Sequence, residues 1–320
     1  MKFRKHETVL LDRVIQFLSL SEPWFPSVGS YEHFTRDERT PTIIAVCGNW
    51  YDLPHKAAEV ALAARALPSS EVLLTGGRAE RLTPSAAVQL GGEPVLLHRE
   101  LHLRYGISPS RMILWTGSRV TTHNLRVVLH YAKQLHEFGS RPARLLMLEE
   151  GFLVRREAAT LASLLGRDAE AQACLKQVVF QRVGATSFGE LVKLHSGRTD
   201  VALALLLGEL DRLRRYTRQG NATTSTHGTI ARGALFDHKA LRALDSNLAS
   251  AIDKLQARHE VGLLASGKRI LEALPREDML RMASPTAGAA SRAEYNEGTS
   301  ASSRWLQINS SRFLSHYRSI

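Results

Sequence analysis

Small and hydrogen-bonding residues follow two apolar segments of this chain, where they are suited to bind a ligand. Gly48 and Asn49 follow the first segment, and Gly76 and Gly77 follow the second. Glycine lets the backbone approach a ligand, and asparagine offers both a donor and an acceptor. Consecutive N–H groups exposed by glycines can also cradle an anion. A turn that binds nothing is the alternative interpretation of either pair.

A third apolar segment ends in Ser118, Thr121 and Asn124, which are spaced three residues apart and open a helical pattern. Hydroxyl and amide groups at the start of a helix cap its unpaired N–H groups. The same N–H groups could hold a carboxylate or a phosphate. Capping without a ligand remains the alternative for this motif.

Acidic residues follow a fourth apolar segment, and basic residues come soon after them. Glu149 and Glu150 could hydrogen-bond a ribose or an amine, while Arg155 and Arg156 could clamp a carboxylate or a phosphate. The alternative is an exposed network of ion pairs. When the motif is read alone, the network is slightly favoured.

The sequence lacks the motifs of several common enzyme chemistries. No glycine-rich NAD fingerprint, Walker loop or serine nucleophile elbow is present. His98 and His102 are spaced as metal ligands on a helix would be, but the sequence offers no evident third ligand. Cys47 and Cys174 are the only cysteines, too few for a disulfide framework, so the chain fits a reducing compartment.

The elements that position these motifs alternate between strand and helix. Apolar runs predict strands and helical periodicity predicts helices between them: strands at 42–47, 71–75, 112–115, 144–148 and 177–183, and helices at 56–67, 95–105, 124–138 and 152–165. This alternation implies a parallel sheet with helices on both faces. Open sheets of this kind bind ligands at the carboxyl ends of their strands.

The pattern divides the chain into four parts. An N-terminal helix and loop occupy 1–41, and the α/β domain occupies 42–184. A mainly helical region at 185–283 is expected to pack on that domain. Residues 284–320 are rich in Ala, Ser, Gly and Thr and predict a flexible linker and tail.

Length, hydrophobic content and net charge indicate a globular, basic protein. The chain has 320 residues, 44% of them hydrophobic, which is enough for a full core. A net charge of +11 permits attraction to nucleic acid, but the basic residues are spread along the chain, which favours an ordinary basic enzyme. The longest apolar run, Val201 to Leu207, is too short to cross a bilayer. We expect a cytoplasmic location, with mitochondria as the alternative.

In their order and spacing these motifs resemble the SanA/YdcF-like family, also known as domain of unknown function 218. The likeness is greatest to its cytosolic YdcF branch and covers roughly residues 8–245. It rests on six matches: Gly48-Asn49, Thr75-Gly76-Gly77, Glu93 ahead of a helix, Ser118 with Thr121 and Asn124, Arg155-Arg156, and the segment Leu207 to Leu213. This chain departs from the family at His123, where members usually carry Glu, and at Val120, which replaces an Asn.

The resemblance implies a Rossmann-like three-layer α/β/α sandwich with about five parallel strands. It also implies binding of S-adenosyl-L-methionine or a related nucleotide at the strand ends, by a protein whose reaction is unknown and of which methyl transfer is one candidate. The residues expected to bind this ligand are Gly48, Asn49, Gly76, Gly77, Glu93, Ser118, Thr121, Asn124, Arg155 and Arg156. The alternative is a non-enzymatic, degenerate member that binds RNA or a protein assembly through its basic surface.

Overall fold

The structure is a computed structural model, which describes residues 5–19, 34, 40–48, 53–76, 92–118, 120–139, 141–195 and 197–218. Two of the predicted ligand-binding residues, Asn49 and Gly77, lie outside the described residues. So do the segment after Arg218 and the predicted tail at 284–320.

Five strands form one sheet in the described chain: β1 Thr42–Cys47, β2 Glu71–Thr75, β3 Met112–Trp115, β4 Ala143–Glu150 and β5 Leu175–Val183. The bounds of β1, β2 and β3 match the sequence prediction. β4 is longer than predicted at both ends, and all of its residues are buried. Its last two residues are Glu149 and Glu150, which the sequence analysis placed just after the strand.

The strand order is β3-β2-β1-β4-β5, and every neighbouring pair is parallel. The predicted parallel sheet is therefore confirmed. From β1 the chain forms β2 and then β3 on one side of β1, and it then returns to place β4 on the other side of β1. The connections after β1 and β4 thus leave toward opposite faces, which opens a crevice at the carboxyl ends of these two strands.

Helices cover both faces of the sheet and complete the three-layer sandwich. On one face, α2 Leu53–Ala66 and α3 Glu93–Leu103 share a core cluster with Ile44 and Val46. On the other, α4 Thr121–Gly139 and α5 Val154–Leu165 share a cluster with Ile43 and Ala45. Successive β1 residues enter opposite clusters because side chains alternate along a strand.

A separate group of helices packs against the ends of β4 and β5. It consists of α1 Lys5–Leu18, α7 Phe188–Leu194 and α8 Thr199–Arg218. A further short helix, α6 Ala169–Ala173, lies outside this group and precedes β5. The core of the group includes Phe152 and Leu153, which directly follow β4, and Ala185, which follows β5. The N-terminal helix and the region after 185 therefore share one hydrophobic core. Neither α6 nor α7 was predicted from the sequence.

Candidate functional site

Backbone hydrogen bonds continue past the ends of β1, β2 and β3 and bring three predicted site residues together. Gly48 N donates to Thr75 O at 2.6 Å, and Gly76 N donates to Trp115 O at 3.0 Å. Ser118 N then donates to Gly76 O at 2.9 Å. Gly48, Gly76 and Ser118 are thereby held side by side, just beyond the ends of the three strands.

Close packing explains why glycine occupies two of these positions. A Cβ atom on Gly76 would lie 2.7 Å from Pro94 Cγ. One on Gly48 would lie 2.9 Å from Thr75 O and 3.0 Å from both Gly76 Cα and Glu93 Oε2. The buried first turn of α3, with Glu93 and Pro94, thus sits directly against both glycines. Their lack of a side chain is required by the protein itself, with or without a ligand.

Two buried polar side chains at the same edge have no hydrogen-bond partner among the residues that the structure describes. They are Ser118, through its Oγ, and Asn124, through its Oδ1. Ser118 is 3% exposed and Asn124 is 6% exposed. A buried polar group that lacks a partner costs about 1–3 kcal/mol. Such groups therefore call for a physical explanation, and a bound ligand is one that the geometry supports.

Arg156 links the start of α4 to α8. Its guanidinium donates to Thr121 Oγ1 and to Glu209 Oε1. Arg212 donates to the second oxygen of Glu209 at 3.1 Å. The structure therefore brings Thr121 and Arg156 together, but it engages both of them in a network that ties the α/β domain to α8.

Arg155 contacts the N-terminal helix α1. It is buried, its Nε donates to Phe17 O at 2.5 Å, and its guanidinium stacks on the Phe17 ring at 3.9 Å from the ring centre. Phe17 belongs to the last turn of α1, where backbone carbonyls lack partners within the helix. In this structure Arg155 therefore fastens α1 to α5.

Glu149 and Glu150 form a buried charge cluster with Lys56 of α2. Lys56 Nζ lies 3.3 Å from Glu150 Oε2, 3.8 Å from Glu149 Oε2 and 3.3 Å from Cys47 O. The other Glu149 oxygen accepts from Cys47 N at 2.8 Å. The exposed ion-pair network favoured by the sequence is wrong, because Glu149, Glu150, Arg155 and Arg156 are all buried. The cluster lies at the crevice between β1 and β4.

Burial and mutual repulsion shift the pKa values of this cluster. Burial alone would lower the pKa of Lys56, but the carboxylates of Glu150 and Glu149 outweigh burial and raise it. Burial, followed by the charge of Glu157, raises the pKa of Glu149 well above its usual range. Burial also raises the pKa of Glu157 to about 7, although Arg156 and Lys56 oppose that shift. The cluster holds more carboxylates than cations.

Sequence reasoning missed Lys56 and Glu157 as site residues. Lys56 stands four residues before Val60 on the apolar stripe of α2, and Glu157 lies in the first turn of α5. A charged residue on an apolar stripe is the signal that could have singled out Lys56. Glu209 was present only within the segment matched to the YdcF branch. Its burial and its two arginine partners are visible only in the structure.

The histidine pair on α3 does not form a metal site in the described chain. His98 is buried, and burial, followed by the charge of His102, lowers its pKa to about 4. His102 Nδ1 lies 3.2 Å from Ile107 O. Within the described ranges, the one group of three residues with metal-ligand atoms close together is Cys47, Glu149 and Glu157.

No family model, curated protein or solved structure matches this chain. Among the helices in the described ranges, none is both long enough and apolar enough to span a membrane.

Proposed function

We propose that this protein binds S-adenosyl-L-methionine or a related nucleotide at the carboxyl ends of β1, β2 and β3. The observation that carries the proposal is the pair of buried polar atoms, Ser118 Oγ and Asn124 Oδ1, which lack partners among the described residues. Both belong to motifs that resemble the YdcF branch of the SanA/YdcF-like family, and this resemblance implies binding of the cofactor.

The chemistry of the two atoms suits a ligand with several polar groups. The Asn124 oxygen accepts a hydrogen bond, and the Ser118 hydroxyl can donate or accept one. Ribose hydroxyls and the amine of the methionine moiety supply matching donors. Glu93, whose Oε2 lies against Gly48, adds a carboxylate that suits either group. Asn49 and Gly77 belong to the proposed site through the resemblance.

The cations near the site that the structure describes already have acidic or carbonyl partners, which favours S-adenosylmethionine over a nucleoside triphosphate. Lys56 is engaged by Glu149 and Glu150, Arg156 by Glu209, and Arg155 by a carbonyl of α1. A triphosphate needs cations that can turn toward it, whereas S-adenosylmethionine carries a positive sulfonium and a single carboxylate. The proposed roles of Arg155 and Arg156 are therefore positional: Arg156 links the start of α4, which carries Asn124, to α8, and Arg155 fastens α1 to α5.

Calorimetric titration tests the proposal. We expect saturable binding of S-adenosylmethionine and S-adenosylhomocysteine, and weaker binding of ATP. Asn124→Ala should weaken binding about tenfold, the equivalent of one lost hydrogen bond of about 1.4 kcal/mol. Thr122→Ala, a change on the same turn of α4 at a partly exposed position, serves as the control. Equal affinity in the two variants would remove Asn124 from the site, and no binding of any of the three ligands would reject the proposal.

Methyl transfer stays a prediction, and a screen of methyl acceptors tests it once binding is measured. RNA or protein binding through a basic surface stays the alternative. Four of the chain's cations, Lys56, Arg144, Arg155 and Arg156, are buried and so do not contribute to such a surface. Steeply salt-dependent RNA binding without affinity for S-adenosylmethionine would favour that alternative.

A further inference from the structure

We infer that Cys47, Glu149 and Glu157 form a binding site for a divalent transition-metal ion, with Zn²⁺ as the best match to the ligands. One sulfur and one carboxylate oxygen from each glutamate all lie within 4.8 Å of one another, and all three residues are buried. This site goes beyond the proposed cofactor site and involves none of its residues.

Strand register and one turn build the cluster. β1 and β4 are adjacent and parallel, with Ala45 opposite Met147, so Cys47 and Glu149 lie side by side two residues further on. Cys47, Ala45 and Met147 share the core cluster on the α4–α5 face. The chain then leaves β4 through the short turn Gly151–Leu153 and enters α5, whose first turn brings Glu157 back over the strand end.

A second observation concerns the hydrogen bonding of Glu157. Glu157 Oε2 is buried and has no hydrogen-bond partner in the part of the chain that the structure describes. Lys56 reaches the crevice from the opposite face of the sheet, where its closest partners are Glu150 and the carbonyl of Cys47. Arg156 donates to Glu209 and Thr121. A metal ion between Cys47, Glu149 and Glu157 would supply the partner for that oxygen.

The ligand types identify the class of metal. A thiolate with two carboxylates suits Zn²⁺, which accepts sulfur and oxygen ligands and has no geometric preference of its own. Mg²⁺ and Ca²⁺ prefer oxygen alone. Three protein ligands leave one position of a tetrahedral ion for water or a substrate atom, as in catalytic zinc sites. The ligand atoms must approach one another slightly to bind an ion of this size.

Metal content and cobalt substitution test the inference on the full-length protein. Protein expressed with zinc in the medium should retain about one equivalent after exposure to a weak chelator, because a buried site that closes during folding releases its ion slowly. After replacement of the metal by Co²⁺, we expect a sulfur-to-cobalt charge-transfer band in the near ultraviolet. Absence of both zinc and the band in the unmodified protein would overturn the inference, whatever the variants do.

Variants assign the ligands. Cys47→Ser should abolish the charge-transfer band, and Glu157→Gln should weaken zinc binding at least tenfold. Cys174→Ser, at the second cysteine of the chain, is the control and should leave both unchanged. Zinc binding that survives Cys47→Ser and Glu157→Gln would assign the metal to surface histidines and reject the site. S-adenosylmethionine titration of the same samples separates this result from a failure of the proposed cofactor site.

Discussion

The segments after β4 and β5 differ in kind from the described segment after β3. After β4, Phe152 and Leu153 enter a hydrophobic core with α1, α7 and α8, and Arg155 fastens α1 in place. After β3, by contrast, Ser118 and Asn124 are buried without hydrogen-bond partners in the described ranges. The carboxyl edge of the sheet therefore has two halves. The helix-packed half, at β4 and β5, is filled by a hydrophobic core, whereas the polar half, at β1, β2 and β3, keeps buried polar groups.

This contrast separates positions that hold the fold from positions that we propose to bind a ligand. Natural proteins give up stability at binding sites and gain it elsewhere. Substitutions after β4 and within the charge cluster should therefore lower the free energy of unfolding. Substitutions of the polar groups after β3 should lower ligand affinity instead.

The largest expected effect is at the charge cluster between the two halves. Lys56→Met leaves Glu149 and Glu150 buried without their cation, so we expect a loss of about 3–5 kcal/mol in the free energy of unfolding. Lys133→Met removes a partly exposed ion pair with Asp168 and Glu170 and should cost about 1 kcal/mol or less. Urea denaturation at neutral pH measures both. Similar losses in the two variants would contradict the cluster's structural role.

A pH effect should arise on α3, beside the proposed site. The pKa of buried His98 is about 4 in the folded chain against 6.5 ordinarily, so the unfolded chain binds more protons between these values. The free energy of unfolding should be highest above pH 6.5 and should fall by at most about 3 kcal/mol as the pH drops toward 4. His98→Gln should flatten this dependence, whereas His55→Gln on the exposed surface of α2 should not. Unfolding curves across this pH range provide the measurement.

On the helix-packed half, Arg155→Met should remove the hydrogen bond to Phe17 O and the contact with its ring. We expect a loss of about 2 kcal/mol and faster amide hydrogen exchange in α1, because charged donors contribute about 1.5–3 kcal/mol. Affinity for S-adenosylmethionine should stay within about twofold, a change of about 0.4 kcal/mol. Arg167→Met, at an exposed position just after α5, is the control. A large loss of affinity with unchanged stability would place Arg155 in the site instead.

On the polar half, Gly76→Ala would place a Cβ atom 2.7 Å from Pro94 Cγ and force α3 to shift. Overpacking of this kind costs about 1–3 kcal/mol. Gly208→Ala, inside α8 with open space around the added carbon, should instead raise stability by about 1 kcal/mol. Opposite signs in thermal denaturation would confirm the close approach at Gly76, and equal signs would contradict it.

The sequence predicts the sheet well because its strands are continuous apolar runs. The bounds of β1, β2 and β3 are correct. The motif after β3 singles out Ser118 and Asn124, which are buried in the structure, and their binding of a ligand stays a prediction. α7 was missed although Ser187 and Glu190 carry a capping signal, with Ser187 Oγ accepting from Glu190 N. α6 begins similarly at Asp168, whose side chain accepts from Ala171 N.

The charge cluster could not be read from the chain because its members come from four different elements. Cys47, Lys56, Glu149 and Glu157 meet only through the pairing of β1 with β4 and the packing of α2 and α5 on opposite faces. Read singly, a lysine or a glutamate on a helix is expected to face solvent. The sequence likewise does not predict that Arg155 contacts Phe17, because this contact depends on how α1 packs against the domain.

The most direct test of the ligand site measures two quantities on Ser118→Ala: the free energy of unfolding without ligand, and the affinity for S-adenosylmethionine. Because the Ser118 hydroxyl is buried without a partner in the described chain, its removal should leave stability unchanged or raise it by up to about 1 kcal/mol. The affinity should fall about tenfold, equivalent to about 1.4 kcal/mol. Lower stability with unchanged affinity would contradict the account and make Ser118 a structural residue.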